Sequence, residues 1–290
     1  MDFSPVKILK AAQVGGYAVG QFNVSNLEQI RAVCEVAAAL KSPVIWGTSE
    51  GERKFMGLRQ VSAAAKAWRE ETGLPIILNA DHSKSFEAAK AAADAGYTGI
   101  HFDGSELPYK ENLKITKQVV EYVKSKNPEA IVEGELGRVL GGSKVHTEAI
   151  ELKESDFTDP DLAARFAKET GIDSLAISYG NVHGVFDKGL EGAEKLDIGR
   201  LKAIRQKTGV LLVLHGGSGI AGEEIRESIK NGISKVNINT ELRVAYVNTL
   251  RQVLNQGEET TPYKIWPPAI EAVKKVVEEK IKLFGSEGKT

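Results

Sequence analysis

A chain of 290 residues with 42% hydrophobic content can bury a large core, as two domains or as one large α/β barrel. A formal net charge of −1 gives no basic footprint for nucleic acid, and no apolar window reaches membrane-spanning length. Cys34 is the only cysteine, which excludes an internal disulfide and a thiolate metal cluster, so a metal site must be built from histidines and carboxylates.

The opening "MDFSPVKILK" has no charged region followed by a long apolar stretch, which predicts a cytoplasmic protein. Ser4–Gly15 then reads as a helix, followed by the first strand candidate, "YAVGQF" (17–22). Further two-sided apolar runs follow at "PVIWGT" (43–48), "PIILNA" (75–80), "TGIHFD" (98–103), "AIVEGE" (130–135), "SLAISY" (174–179), "VLLVL" (210–214) and "KVNIN" (235–239). Between them lie amphipathic helical stretches such as Leu27–Leu40, Ser85–Ala95 and Asp161–Thr170, several closing on a glycine suited to a C-terminal cap. Alternating β and α units imply parallel strands joined by right-handed crossovers. Eight units over this length predict a (β/α)8 barrel spanning residues 1–290 as one domain, with an extra N-terminal helix and a C-terminal helical extension after Pro268. A doubly wound open sheet is the alternative, but the segment after the first strand, "GQFNVSN", is no dinucleotide-binding turn. Two irregular stretches, Gly137–Asp159 and Gly184–Lys195, follow strand candidates five and six, and "GRVLGGSKVHTE" has the look of a mobile active-site loop.

A barrel gathers the C-terminal ends of its strands on one face. That rule places Asp81, His82, Asp103, Glu133, Glu135, His183, His215, Asn237 and Asn239 on one rim. Three neutral imidazoles with open positions suit a catalytic zinc, so His82, His183 and His215 are the candidate ligands. His101, inside a strand two residues before Asp103, reads as a packed residue behind the ligands, and His146 reads as exposed in its loop. "HGGSG" (215–219) sits where barrels bind phosphate, since glycines let backbone N–H groups approach an anion.

The ordered segments "NADHS", "FDGSELPYKENLKITKQVVEY", "VEGELG", "GNVHG", "LHGGSGI" and "KVNINTELR" resemble those of class II zinc-dependent fructose- and tagatose-bisphosphate aldolases over nearly the whole chain. The resemblance implies a zinc-dependent lyase of glycolysis and gluconeogenesis that cleaves fructose 1,6-bisphosphate to dihydroxyacetone phosphate and glyceraldehyde 3-phosphate. Tagatose bisphosphate, or a related phosphorylated keto-sugar, is the alternative substrate, and a non-catalytic accessory barrel is the alternative class. Residue by residue, it implies zinc on His82, His183 and His215, and Asp81 as proton carrier. Asp103 and Glu135 match carboxylates that can hold a second divalent metal, and a monovalent cation is a further candidate cofactor. Asn23, Ser49, Gly184, Gly216, Gly217, Ser218, Asn237, Ile238, Asn239 and Thr240 are the implied substrate-binding residues. The partners implied are sugar phosphates and further copies in a homodimer or homotetramer. The sequence departs from the family after Gly141-Gly142, where the acidic base that deprotonates dihydroxyacetone phosphate is expected. His146 is the candidate substitute, ahead of Glu148.

Overall fold

The computed structural model describes residues 3–187 and 195–290. Its strands are β1 (Val19–Asn23), β2 (Val44–Thr48), β3 (Ile76–Ser83), β4 (Gly99–Phe102), β5 (Ile131–Leu136), β6 (Val145–His146), β7 (Ser174–Ile177), β8 (Val185–Phe186), β9 (Leu211–Leu214) and β10 (Ile233–Ile238). Eight of them close a parallel barrel in the order β1-β10-β9-β7-β5-β4-β3-β2. Every strand candidate read from the sequence overlaps one of these eight, and closure decides against the open sheet.

The helices are α1 (Pro5–Gly15), α2 (Leu27–Ala39), α3 (Glu50–Met56), α4 (Leu58–Thr72), α5 (Phe86–Asp94), α6 (Tyr109–Lys126), α7 (Pro160–Thr170), α8 (Ile198–Thr208), α9 (Gly222–Lys230), α10 (Thr240–Gln256), α11 (Pro262–Ile265) and α12 (Pro267–Phe284). Local chemistry explains their limits. Ser4 caps α1 by accepting from the Lys7 amide, Pro5 opens its first turn, and Gly16 ends it in the left-handed conformation. In α12, Ile270, Val273, Val277, Ile281 and Phe284 recur at helical spacing and are buried against the core, with α2 and α10 as neighbours.

Side chains alternate between two destinations. Phe22, Trp46, Leu78, Ile100, Val132, Leu175, Leu212 and Val236 face outward into the layer between strands and helices. Val19, Ile45, Ile77, Ile131 and Leu211 belong to a second apolar cluster inside the barrel, which Leu9 and Ala12 of α1 complete. The extra N-terminal helix is thus a plug on the face opposite the predicted site.

Both irregular stretches gain a short order that the sequence did not show. Val145 and His146 pair in parallel with Val185 and Phe186, tying the loop after β5 to the loop after β7. A two-residue ladder carries no periodic pattern, so nothing in the sequence marks it. Positions 188–194 of the second irregular stretch lie outside the described residues.

Candidate active site

At the end of β3 the backbone does something unusual for a non-glycine residue. His82 has φ +47°, and the β3–β4 register shifts between Ala80 and Ser83. Left-handed backbone at a bulky residue costs on the order of 1–3 kcal/mol and persists only where its surroundings over-determine it. Here the His82 amide donates to His101 Nδ1 at 3.1 Å. Buried Arg53 donates to the carbonyl oxygen of Asp81 at 3.1 Å and to Ser83 Oγ at 3.3 Å. These bonds hold the turn that brings the His82 ring beside its partners.

Two imidazoles then face each other. His82 Nδ1 lies 2.6 Å from Asp103 Oδ2, and His215 Nε2 lies 2.7 Å from Glu133 Oε1. An ionised carboxylate only accepts, so the ring proton in each pair belongs to the imidazole. Both carboxyls are ionised. Burial pushes Asp103 and Glu133 up, but His82, His101 and Lys84 around the first, and Lys235, His101 and His215 around the second, hold them well below the usual range. In neutral rings with those protons placed, His82 Nε2 and His215 Nδ1 carry the lone pairs and lie 3.1 Å apart, with Asn237 Nδ2 3.3 Å from His215 Nδ1. Two lone pairs in contact repel unless a cation lies between or beside them, and a carboxylate behind each ring is the arrangement that supports metal-bound histidine. The donor set therefore fits a metal ion.

His183 completes the triangle less closely. Its ring stands edge-on to His82 at 5.2 Å and to His215 at 6.0 Å between centroids. Burial and those two neighbouring rings hold it well below the usual histidine range, so it stays neutral with a free lone pair. Ligand atoms of Asp81, His82, His101 and His215 lie within 4.8 Å of one another. His101 is nevertheless engaged, because its Nδ1 accepts from the His82 amide.

Asp81 is buried beside these rings. Burial alone would raise its carboxyl, but His82, His101 and His215 hold it well below the usual range, so it is ionised. Asn23 donates to its Oδ2 at 3.0 Å and Asn237 to its Oδ1 at 3.3 Å. A small hollow opens from this carboxylate and is lined by Asn23, Ser49, Asp81, His82, His183, Gly184, Gly216, Ser218, Asn237, Asn239 and Thr240. Of the expected substrate-binding residues, only Gly217 and Ile238 stand behind its wall: Gly217 packs against β10, and Ile238 belongs to the outer core.

The glycines there are steric requirements. Gly216 has φ +66°, and a Cβ on it would meet the Val182 carbonyl oxygen at 2.1 Å. Nearby, the Gly219 amide donates to Glu241 Oε1 at 2.7 Å, and the Asn239 and Glu241 amides both reach Ser218 Oγ at 3.4 Å.

The structure changes the expected exposure of one of the two loop candidates for a base. His146 is buried, not exposed. Its Nε2 lies 3.1 Å from the Gly142 carbonyl oxygen and 2.9 Å from that of His183, and its ring stacks on Phe186. Two carbonyl acceptors require a proton on Nε2, so this atom is a donor that fastens the Gly141-Gly142 turn to the next loop. Glu148 is exposed. Neither reaches the cluster in this conformation. Asp103, expected as a second metal ligand with Glu135, has its acceptor positions filled by His82 Nδ1, Lys84 Nζ, and the amide and hydroxyl of Ser105.

Four working residues were not picked out from the sequence. Lys235 is buried and donates to Glu133 Oε2 at 2.7 Å, completing a Lys235–Glu133–His215 chain. A lysine opening the buried run "KVNIN", on the same face as Asn237, was a readable signal. Glu52 accepts from Asn23 at 3.1 Å and caps α3 with Ser49. Arg53 follows it, and Lys84 follows the Asp-His-Ser run; as charges at helix and strand ends, these look like ordinary surface residues.

The sequence profile described as fructose-bisphosphate aldolase class-II matches residues 4–289. The chain is 40% identical to a fructose-bisphosphate aldolase of Geobacillus stearothermophilus, covering 98% of this chain and 96% of that protein. It is 38% identical to the one of Staphylococcus aureus strain N315, covering 97% and 96%. Among solved structures, the YdjI aldolase of Escherichia coli K12 superposes with a TM-score of 0.84 at 32% identity, covering 100% of this chain and 99% of that one. Fold and site together define a metal-dependent lyase built on a (β/α)8 barrel. The chain belongs to the class II fructose-bisphosphate aldolase family.

Proposed function

We propose that the protein is a zinc-dependent aldolase that reversibly cleaves fructose 1,6-bisphosphate to dihydroxyacetone phosphate and glyceraldehyde 3-phosphate. The observation that carries this reading is the approach of His82 Nε2 to His215 Nδ1, 3.1 Å apart, with a carboxylate behind each ring and the ionised Asp81 beside them. His82, His183 and His215 would hold the zinc, which supplies Lewis-acid polarisation of the ketone and hydroxyl oxygens of the dihydroxyacetone phosphate half.

The remaining steps fall to the chain's own residues. Asp81 accepts the C4 hydroxyl proton as the C3–C4 bond breaks, C4 becomes the aldehyde, and the bond's electron pair stays on the dihydroxyacetone phosphate half. A proton from water then adds to C3 before release, and Asp81 gives up the proton it took to water, which restores the ionised carboxylate. Asn23 and Asn237 hold the two oxygens of Asp81 and so fix the direction from which it takes the proton. Gly184, Gly216, Ser218, Asn237, Asn239 and Thr240 seat the phosphate of that half, with Ser49 towards the aldehyde half.

For self-association as a homodimer or homotetramer, the chain offers an apolar hollow lined by Leu27, Ile30, Phe55 and Met56, where Leu27 and Phe55 are exposed. No helix among the described residues is long and apolar enough to cross a membrane.

Chelator-treated protein should lose cleavage of fructose 1,6-bisphosphate and regain it with zinc. Tagatose 1,6-bisphosphate, the C4 epimer, should be cleaved more slowly. Unchanged activity after complete metal removal would overturn the metal assignment, and faster cleavage of the epimer would overturn the substrate.

A further inference from the structure

Asp103 and Glu135 stand where a second cation would be expected, yet the surroundings of the two carboxylates differ. The ligand atoms of His82, Asp103 and Glu135 lie within 4.8 Å of one another, a spacing that suits a shared ion. Asp103 Oδ2, however, already accepts from His82 Nδ1 at 2.6 Å and from Lys84 Nζ at 2.7 Å. Its Oδ1 accepts from the Ser105 amide at 3.1 Å and the Ser105 hydroxyl at 2.7 Å. Four donors occupy the four lone-pair positions that a carboxylate offers. Glu135, by contrast, has one close side-chain partner, His101, whose Nε2 lies 3.0 Å from its Oε2.

Lys84 is anchored for this task. Its own amide donates to Glu50 Oε1 at 2.9 Å, which fixes the backbone one residue past Ser83. Its side chain is half exposed and lines the cavity that also opens onto His82, Asp103 and Glu135. The partner is a carboxylate with only 3% of its side chain exposed, so the pair is far less screened than a surface ion pair.

We propose that Lys84 is a built-in counter-ion that takes the place of a second divalent metal beside Asp103 and Glu135. The inference rests on the three-histidine reading of the first metal and adds that this chain carries one such ion, not two.

Metal counting tests it without relying on activity. The full chain is stripped with a chelator and brought to equilibrium dialysis against zinc, and bound metal is then measured by elemental analysis. Wild type should bind one zinc per chain. Lys84→Ser should bind a second, weaker one, because it frees an oxygen of Asp103 next to the less fully occupied carboxylate of Glu135. Lys84→Arg should remain at one. Adding Glu135→Gln to Lys84→Ser should remove the second ion, which separates a real site from adventitious surface binding. Two zinc ions on wild type, or one on Lys84→Ser, would overturn the proposal. A wild type that binds none would defeat the three-histidine reading, and the difference of one ion between Lys84→Ser and its double variant would still decide the role of the lysine.

Discussion

The two ends of the barrel interior obey one rule and use it for opposite purposes. On β1 the inward positions read Val19, Gln21, Asn23; on β3, Ile77, Asn79, Asp81; on β5, Ile131, Glu133, Glu135; on β9, Leu211, Val213, His215. On these strands the lower layer is apolar and sealed by α1, while every inward position above it except Val213 is polar or charged. A lower-layer side chain contributes about 1.5–3 kcal/mol simply by leaving water. An upper-layer side chain is tolerated only because it finds partners, as Gln21 does with Asn23 and Asn79, and Glu133 with His215 and Lys235. Stability resides at one end and chemistry at the other, so substitutions at the two ends should separate the two properties.

The largest effect is expected on rate alone. Asp81→Ala should keep its metal and its melting temperature yet lose about 10²–10⁴-fold in cleavage rate, the range for a positioned acid–base group. Steady-state kinetics with metal analysis would show it, and normal turnover would remove Asp81 from the mechanism.

Lys235→Met probes where the two ends meet, because it touches both properties. Removing one partner of a buried ion pair costs about 3–5 kcal/mol. Loss of the group that steadies Glu133 behind His215 should also weaken metal binding by about 10–100-fold. Denaturant melts and zinc titration read the two losses separately; a variant with full stability and full zinc affinity would make the pair idle.

Ile77→Ala, two layers below Asp81 on the same strand, should do the opposite of Asp81→Ala. A cavity in the plugged layer should destabilise by about 2–5 kcal/mol, while the specific activity of the folded fraction stays within a factor of a few. A large loss of activity without loss of stability would erase the division between the layers.

The same contrast explains what could be read from the sequence. Strands such as "VLLVL" and "PIILNA" are legible because both faces are buried, leaving runs that only a closed or covered parallel sheet accommodates. His82, His183 and His215 were legible as a set because strand ends converge, although nothing in their spacing marks a metal site. The contacts of His146 were not legible. A histidine in a polar, glycine-containing loop carries no sign that the next loop will present carbonyl groups to it. Lys84 and Arg53 were missed for a related reason: whether a cation at a strand or helix end meets water or a buried acceptor depends on residues far away in sequence. Arg53 meets Asp81 and Ser83 only because β2 and β3 are neighbours in the barrel.

The central claim, that three imidazoles share one catalytic metal, is tested most directly at the histidine whose ring stands farthest out. His183→Ala should fold with an unchanged melting temperature, bind zinc well below one equivalent per chain, and cleave fructose 1,6-bisphosphate at background rate. Retention of a full zinc equivalent with undiminished cleavage would contradict the claim.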